Sequence, residues 1–190
     1  MTQNYLDHQE YKQIDFTESK IQKGEYDTCT FRECNFSNVH ASNIKFVECE
    51  FIDCNFSNAI IKDTAFKEVS FENCKMIGLK FYEVDPFLLQ LKFKNCQLSF
   101  SSFQGLKLNN TLFDSCQLEE VDFANSELKV AVFSECNLKN AIFENTNIEK
   151  ADFRTAHSFR IDPDQNRLKG AKFSSQNLQG LLEKYQIIIE

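Results

Sequence analysis

An apolar residue recurs every five positions along most of this chain. The first series runs Phe16, Ile21, Tyr26, Phe31, Phe36, Ala41, Phe46, Phe51, Phe56, Ile61, Phe66, Phe71, Met76, Phe81. The frame then slips by two residues and resumes as Phe93, Leu98, Phe103, Leu108, Phe113, Leu118, Phe123, Leu128, Phe133, Leu138, Phe143, Ile148, Phe153. The residue two before each of these central positions forms a second column. It is mostly small and never charged, as in Cys29, Cys34, Cys49, Cys54, Ala59, Thr64 and, later, Ala131, Cys136, Ala141, Thr146, Ala151. The other three columns hold nearly all the Lys, Glu, Asp and Asn. A period of five matches neither the helical 3.6 nor the strand period of two. It predicts a coil in which each five-residue unit is one side, with two residues pointing in and three pointing out. Such a side cannot bury its inward face alone. It needs neighbouring coils stacked about 4.8 Å apart and joined by backbone hydrogen bonds.

Longer periods set the number of sides. After the slip, Phe alternates with Leu or Ile, a period of ten. Cys34, Cys54 and Cys74 are 20 apart, and so are Cys96, Cys116 and Cys136. A four-sided coil of 20 residues satisfies both, with large rings on opposite sides meeting across a narrow interior. Of the 20 Phe, only Phe87, Phe100 and Phe159 fall out of frame. The chain has 5 Gly and 2 Pro, too few to turn so many corners. Other residues must do so.

The pattern divides the chain into an N-terminal segment over 1–13, a solenoid over 14–158, and a C-terminal segment over 159–190. The slip predicts a bulge or loop over 82–89, where Pro86 is tolerated because it has no N–H to give to a ladder; exposed Phe87 makes this a candidate contact. Past Phe153 the repeat decays, with Ala171 and Phe173 as one last side. Ser174 or Ser175 then predicts a helix N-cap, followed by an apolar stripe of Leu178, Leu181, Leu182 and Tyr185. The run Ile187, Ile188, Ile189 reads as a short strand. Exposed solenoid ends need covering, which is the plain role for this segment.

Ala-Ile-Phe-Glu-Asn (141–145), Thr-Asn-Ile-Glu-Lys (146–150) and Ala-Asp-Phe-Arg-Thr (151–155) resemble the unit of the pentapeptide-repeat proteins: a small residue, Asp or Asn, Leu or Phe, then two polar residues. The resemblance covers about residues 14 to 158. It implies an all-β, right-handed quadrilateral β-helix of about seven coils, roughly 35 Å long. The layout, a single acidic rod followed by a short helix and strand, is similar to the gyrase-protecting branch of that family, the Qnr-type and microcin-immunity proteins. From this likeness come two implications. One is a homodimer held by Leu178, Leu181, Leu182, Tyr185, Ile187, Ile188 and Ile189. The other is a DNA-mimicking module that binds DNA gyrase or topoisomerase IV and protects it from quinolones or peptide toxins.

Charge and chemistry refine this picture. With 28 acidic and 21 basic residues the net charge is −7, which argues against direct nucleic-acid binding. Residues 111–153 concentrate the acidity, with nine acids against three lysines. Asp114, Glu119, Glu120 and Asp122 are the candidate partner-binding residues, together with Phe87. The eight Cys all fall in the small inward column, and Cys29/Cys34 and Cys49/Cys54 are spaced by five rather than by the two to four typical of zinc ligands. They read as buried small hydrophobes. The three His recur with no Cys or acid at a ligand or catalytic spacing, and no phosphate loop or nucleophile elbow occurs. No enzyme activity and no cofactor are expected. The first residues lack the basic and apolar regions of a secretory signal, and no apolar run reaches membrane-spanning length, so a cytoplasmic protein without membrane contact is expected. A general protein-interaction scaffold with another partner remains the alternative to topoisomerase binding.

Overall fold

The computed structural model describes residues 4–188. In chain order its strands are β1 (Asn4–Asp7), β2 (Glu10–Lys12), β3 (Gly24–Asp27), β4 (Thr30–Arg32), β5 (Lys45–Val47), β6 (Glu50–Ile52), β7 (Ala65–Lys67), β8 (Val69–Glu72), β9 (Leu91–Lys94), β10 (Leu112–Asp114) and β11 (Val132–Ser134). All pair in parallel. A seven-stranded sheet, β2-β4-β6-β8-β9-β10-β11, forms the first side of a quadrilateral β-helix, and a four-stranded sheet, β1-β3-β5-β7, forms the lower part of the fourth. The second and third sides are ladders of single bridges. Asp15, Asn35, Asn55, Lys75, Gln97, Gln117, Asn137 and His157 mark the second; Lys80, Ser102, Asp122 and Ile142 mark the third. The register step is 20 residues, as between Asn35 and Asn55, and becomes 22 across the slip, as between Lys75 and Gln97. Residues 4–12 already pair with the coil above through β1 and β2.

The corners explain how a Gly-poor chain turns. The residue two after each central position takes positive φ at almost every corner: Asn38, Asn58, Gly78, Phe100, Glu120 and Asn140 follow one another up a single edge. Asn and Asp tolerate this left-handed region better than other non-glycine residues. Many corners are closed by a bond from the third residue back to the central carbonyl, as from Val39 N to Phe36 O (3.1 Å) and from Ser101 N to Leu98 O (3.1 Å).

The interior is a set of stacked columns. On the first side the rings run without interruption from Tyr11 through Phe31, Phe51, Phe71, Phe93, Phe113, Phe133 and Phe153 to Phe173, with successive centroids 4.6–5.5 Å apart. From the coil that carries the slip upward, Phe81, Phe103, Phe123 and Phe143 stack on the opposite, third side and meet the first column edge-on, as at Phe103–Phe113 (6.0 Å, 83°). Below the slip the arrangement differs from simple opposition. There the additional rings stand on the adjacent second and fourth sides, Phe16–Phe36–Phe56 and Tyr26–Phe46–Phe66. Ile21, Ala41 and Ile61 fill the third side. Edge-to-face contacts of this kind are worth about 0.5–1.5 kcal/mol beyond burial.

The small inward column has a polar task as well as a steric one. Each Cys thiol donates to main-chain carbonyls at its corner. Cys54 Sγ reaches Phe31 O (3.4 Å) one coil below, and Cys136 Sγ reaches Phe113 O (3.4 Å); Thr146 Oγ1 makes the same bond to Phe123 O (2.9 Å). All eight Cys are buried. Six of them, Cys34 to Cys136, form one unbroken column.

The expected break at 82–89 is narrower and lies later. Phe81–Glu83 form a 3₁₀ turn, Val84 is buried, and Asp85 still bridges Ala65 in the 20-residue register. The two extra residues are absorbed between Pro86 and Gln90. Asp85 Oδ1 accepts a bond from Phe87 N (3.0 Å), and Phe87 and Leu88 project outward at 65% and 64% exposure.

The C-terminal segment also differs from expectation. Its helix, α1, spans only Gln179–Leu182, with Leu178 at the N-cap and no side-chain cap bond, so neither Ser174 nor Ser175 caps it. A 3₁₀ turn follows at Glu183–Tyr185, and the chain then turns through the left-handed region at Gln186. Ile187 and Ile188 form no strand; Ile189 lies outside the described residues. The helix is short because it is a lid on the last coil. Gly180 lies so close to Phe159 that a Cβ would sit 2.3 Å from its carbonyl oxygen, and Gly180 O accepts from Ile161 N (2.9 Å). Phe159, out of frame in the sequence, is buried here against Phe153 and Phe173.

Two predictions follow from the corners and the thiols. Val130 is a β-branched residue at φ 60° with its side chain exposed, so Val130→Asn relieves strain without removing packing. It is expected to raise stability by about 1 kcal/mol, read as a higher denaturant midpoint with unchanged m-value. Burial pushes the Cys49 thiol up to about 12 from an ordinary value of 9.0, and burial also raises Cys29. Below pH 9 both folded and unfolded chains keep these protons. Between pH 9 and 12 only the unfolded chain releases them, so stability falls as pH rises through that window. The melting temperature is expected to drop from pH 9 to pH 11, less steeply in a Cys29→Ala, Cys49→Ala variant, while the native thiols resist alkylation at pH 8.

Candidate functional site

A rod whose interior is filled by stacked side chains has its chemistry on its faces and ends. Among the described residues no group of His, Cys, Asp and Glu is placed to hold a metal ion, and no helix is long and apolar enough to cross a membrane. A cleft of about 620 Å³ lies between the last coil and α1, beside Lys139, Arg160, Asn177 and Gly180. Much of its polar lining is engaged. Arg160 pairs with Glu183 (2.7 Å), and Asn177 Nδ2 donates to Ala156 O (2.7 Å). These bonds fasten the lid to the rod. Lys184 adds to them by pairing with Asp162 (2.5 Å) and Asp164. That pairing holds the Asp162 carboxyl below the usual carboxylate range.

The four acids singled out in the sequence sit round one coil. Asp114 ends β10 on the first side, Glu119 and its corner residue Glu120 lie on the second, and Asp122 opens the third. A partner facing the second side squarely meets Asp114 at one margin and Glu119, Glu120 and Asp122 at the other. Glu135 lies one coil higher at the margin of the second side and Glu144 one coil higher on the third, and over residues 95–145 these two sides carry one cation, Lys139. Lys139 pairs with Glu119 (2.7 Å). Asp122 accepts bonds from Ala124 N (2.8 Å) and Ser102 Oγ (3.4 Å). Glu120 stands at a left-handed corner and is exposed. The other two sides of the same coils carry Lys92, Lys94, Lys107, Lys129 and Lys150, which offset Glu127, Glu149 and Asp152. The acidity of the upper rod is therefore one-sided.

Phe87 is not part of that side. It lies at the corner between the fourth and first sides, with Lys67 Nζ 5.0 Å from its ring centroid. The aromatic on the acidic side is Phe100, 58% exposed at φ 62°. It is directly below Glu120, its N–H donating to Glu119 O (3.0 Å). The sequence signal for it was a ring in an outward column otherwise filled by Asn, Gly and Glu.

At the C-terminal end the apolar stripe divides. Leu181 packs on the core and Leu182 is half-buried. Leu178, Tyr185, Ile187 and Ile188 face outward, Ile188 at 88% exposure.

Comparison with known proteins agrees with this architecture. The full-length structure of QnrB1, described as a plasmid-mediated fluoroquinolone resistance protein, aligns with a TM-score of 0.60 at 17% identity, over 97% of this chain and 100% of that one. A trypsin-treated variant of QnrB1 aligns with a TM-score of 0.60 at 16% identity, over 98% and 100%. No curated protein matches the chain by sequence. The sequence profile of the pentapeptide repeat region matches residues 24–103 and 87–153, and the chain belongs to the pentapeptide-repeat family.

Proposed function

We propose that this protein is a non-catalytic interaction module whose acidic second and third sides dock on the DNA-binding surface of a type II topoisomerase, DNA gyrase or topoisomerase IV, and protect it from poisons. The observation that carries this reading is the one-sided acidity of the upper coils of the rod. A basic groove built for phosphates attracts a surface of that shape and charge. The likeness to QnrB1 supports it at the level of fold. Glu120, Asp122 and Glu144 supply the field, and Phe100 supplies an apolar contact at its lower margin. The general scaffold reading draws on a different observation: the charges of the lower coils are mixed and partly paired, as at Lys45–Glu25 (2.7 Å), which gives the lower rod no single sign.

The test is a supercoiling and cleavage-complex assay with gyrase, with and without a fluoroquinolone. Protection at micromolar concentration is expected from the wild type. Glu119→Lys, Glu120→Lys should keep its melting temperature, because exposed substitutions change stability by under about 0.5 kcal/mol, while losing roughly tenfold in affinity together with its salt dependence. Wild-type protein without effect on supercoiling or poisoning, or a double variant that protects equally well, leaves only the scaffold reading.

We also propose that the exposed Leu178, Tyr185, Ile187 and Ile188, with Leu181, Leu182 and Ile189, form a homodimer contact. Deleting 174–190 is then expected to halve the mass seen by light scattering at tens of micromolar. An intact protein that is already monomeric there limits the segment to covering the last coil.

A further inference from the structure

The two ends of the rod are finished differently. At the C-terminal end, α1 lies over the last coil. At the N-terminal end, no described residue lies beneath the first coil. Its inward side chains register this. Leu6, Tyr11 and Ile14 are only partly buried, whereas Tyr26, Phe31 and Cys34, each 20 residues on, are fully enclosed. Tyr11 stacks on Phe31 at 4.7 Å and is the lowest ring of the first-side column.

The backbone of this end is open as well. Gln9 O accepts from Thr30 N (2.9 Å), and Gln13 N donates to Arg32 O (2.9 Å). The odd-numbered residues along β2 therefore bond upward into β4. Main-chain groups alternate in direction along a strand, so the N–H and C=O of Glu10 and Lys12 point down, away from the rod. An exposed strand edge of this kind is a template for another strand.

The residues of the edge select which strand. β2 reads Glu-Tyr-Lys. Paired antiparallel with its own copy about Tyr11, it sets Glu10 opposite Lys12 of the second copy, and Lys12 opposite Glu10. These are the residues whose main-chain groups point down, so each couple exchanges two backbone bonds. Their side chains form opposite-charge cross-strand pairs. Both are free to do so: Glu10 reaches Arg32 at 3.3 Å yet is 63% exposed, and Lys12 is exposed directly beneath the like charge of Arg32. The same two-fold axis sets the two Tyr11 rings over one another, which carries the ring column from one rod into the next. It also sets Leu6 over Phe16 of the second copy. One like-charge meeting results, Asp7 with Asp15. Both carboxylates are engaged on their own chain: His8 Nδ1 lies 2.5 Å from Asp7, and Asp15 accepts from Thr17 Oγ1 (2.6 Å) and Asn35 Nδ2 (3.2 Å).

We propose that two copies of this chain join end to end at their N-terminal coils, through an antiparallel β2–β2 pairing centred on Tyr11. The contact is independent of the acidic sides and of the C-terminal segment. One short strand pair makes it weak, so it is read above the tens of micromolar at which the C-terminal contact is tested.

The test is sedimentation equilibrium of the full chain from about 50 µM to 1 mM. The average mass of the wild type is expected to rise with concentration, and to rise less in high salt. Glu10→Lys places Lys opposite Lys, and Lys12→Glu places Glu opposite Glu. Each alone should weaken association by at least about tenfold. An equimolar mixture of the two single variants should associate again, because every Lys then faces a Glu. The double exchange Glu10→Lys, Lys12→Glu should associate as the wild type does. All these positions are exposed, so melting temperatures should stay close to that of the wild type. The mixture guards against a folding artefact, since a damaged chain is not repaired by another. Any association through the C-terminal segment is common to every sample and cancels. The proposal is overturned by a wild type whose mass rises no more than that of Glu10→Lys, or by a mixture and a double exchange that associate no better than the single variants. The edge is then covered by residues 1–3 or by a strand of another protein.

Discussion

Every coil is hydrogen-bonded in register to the residues 20 positions above it, and this single step governs the molecule. Parallel, in-register stacking places each side chain over its counterpart, so like residues accumulate into columns. A ring therefore meets a ring about 5 Å away, and a thiol meets a thiol. The step also sets which residues are tolerated where. An inward position must accept a copy of itself above and below, which favours flat rings in the centre. At the corner it favours small residues with a weak donor for the carbonyl of the coil below. Cys, Ser and Thr meet both demands, which is why eight cysteines are buried without any redox or metal role being needed to explain them.

The slip shows how local the constraint is. The register changes from 20 to 22 between Asp85 and Leu91, yet the first-side ring column passes straight across it, with Phe71 and Phe93 still stacked at 5.5 Å. The extra residues leave through one corner because only there does the backbone point outward without breaking a ladder. The core responds on the other sides. Below the slip rings stand on three adjacent sides; above it they stand on two opposite ones. Both fillings suit a four-sided interior, and the second matches the strict Phe–Leu alternation of the upper coils.

Most of the fold was legible because it depends on periodicity. Two columns in five, never charged, left one way to bury them, and the 20-residue recurrence of Cys gave the number of sides. What escaped the sequence depends on chain direction in space or on single contacts. The corner conformation was hidden because Glu, Ser, Lys and even Val130 adopt it alongside Asn. The C-terminal helix was overestimated because its 3–4–7 stripe is genuine but short-lived: Leu181 finds the core, while the close approach of Gly180 to Phe159 and the 3₁₀ turn at Glu183 fix the segment as a lid. Phe159 looked like an irregularity and is the plug under that lid. Among the candidate contact residues, Asp114, Glu119, Glu120 and Asp122 were correctly read as outward. That Phe87 belongs to another corner, and Phe100 to theirs, required the fold.

Surface chemistry on such a rod obeys a rule that compact domains lack. Which side a residue faces is decided by its place within the 20-residue coil, so neighbours in sequence are dispersed and residues 20 apart are gathered. Several residues 20 apart stack opposite charges, as Lys107 beneath Glu127 and Glu119 beneath Lys139. Because outward residues make few core contacts, one side can collect Glu120, Asp122 and Glu144 while the opposite corner collects Leu88, Leu112 and Val130, with little exchange of stability between them. The energy that matters is spent at the corners, where an apolar residue in the left-handed region is strained whatever its neighbours. At positions such as Phe100 and Val130 that cost is carried without a buried contact in return.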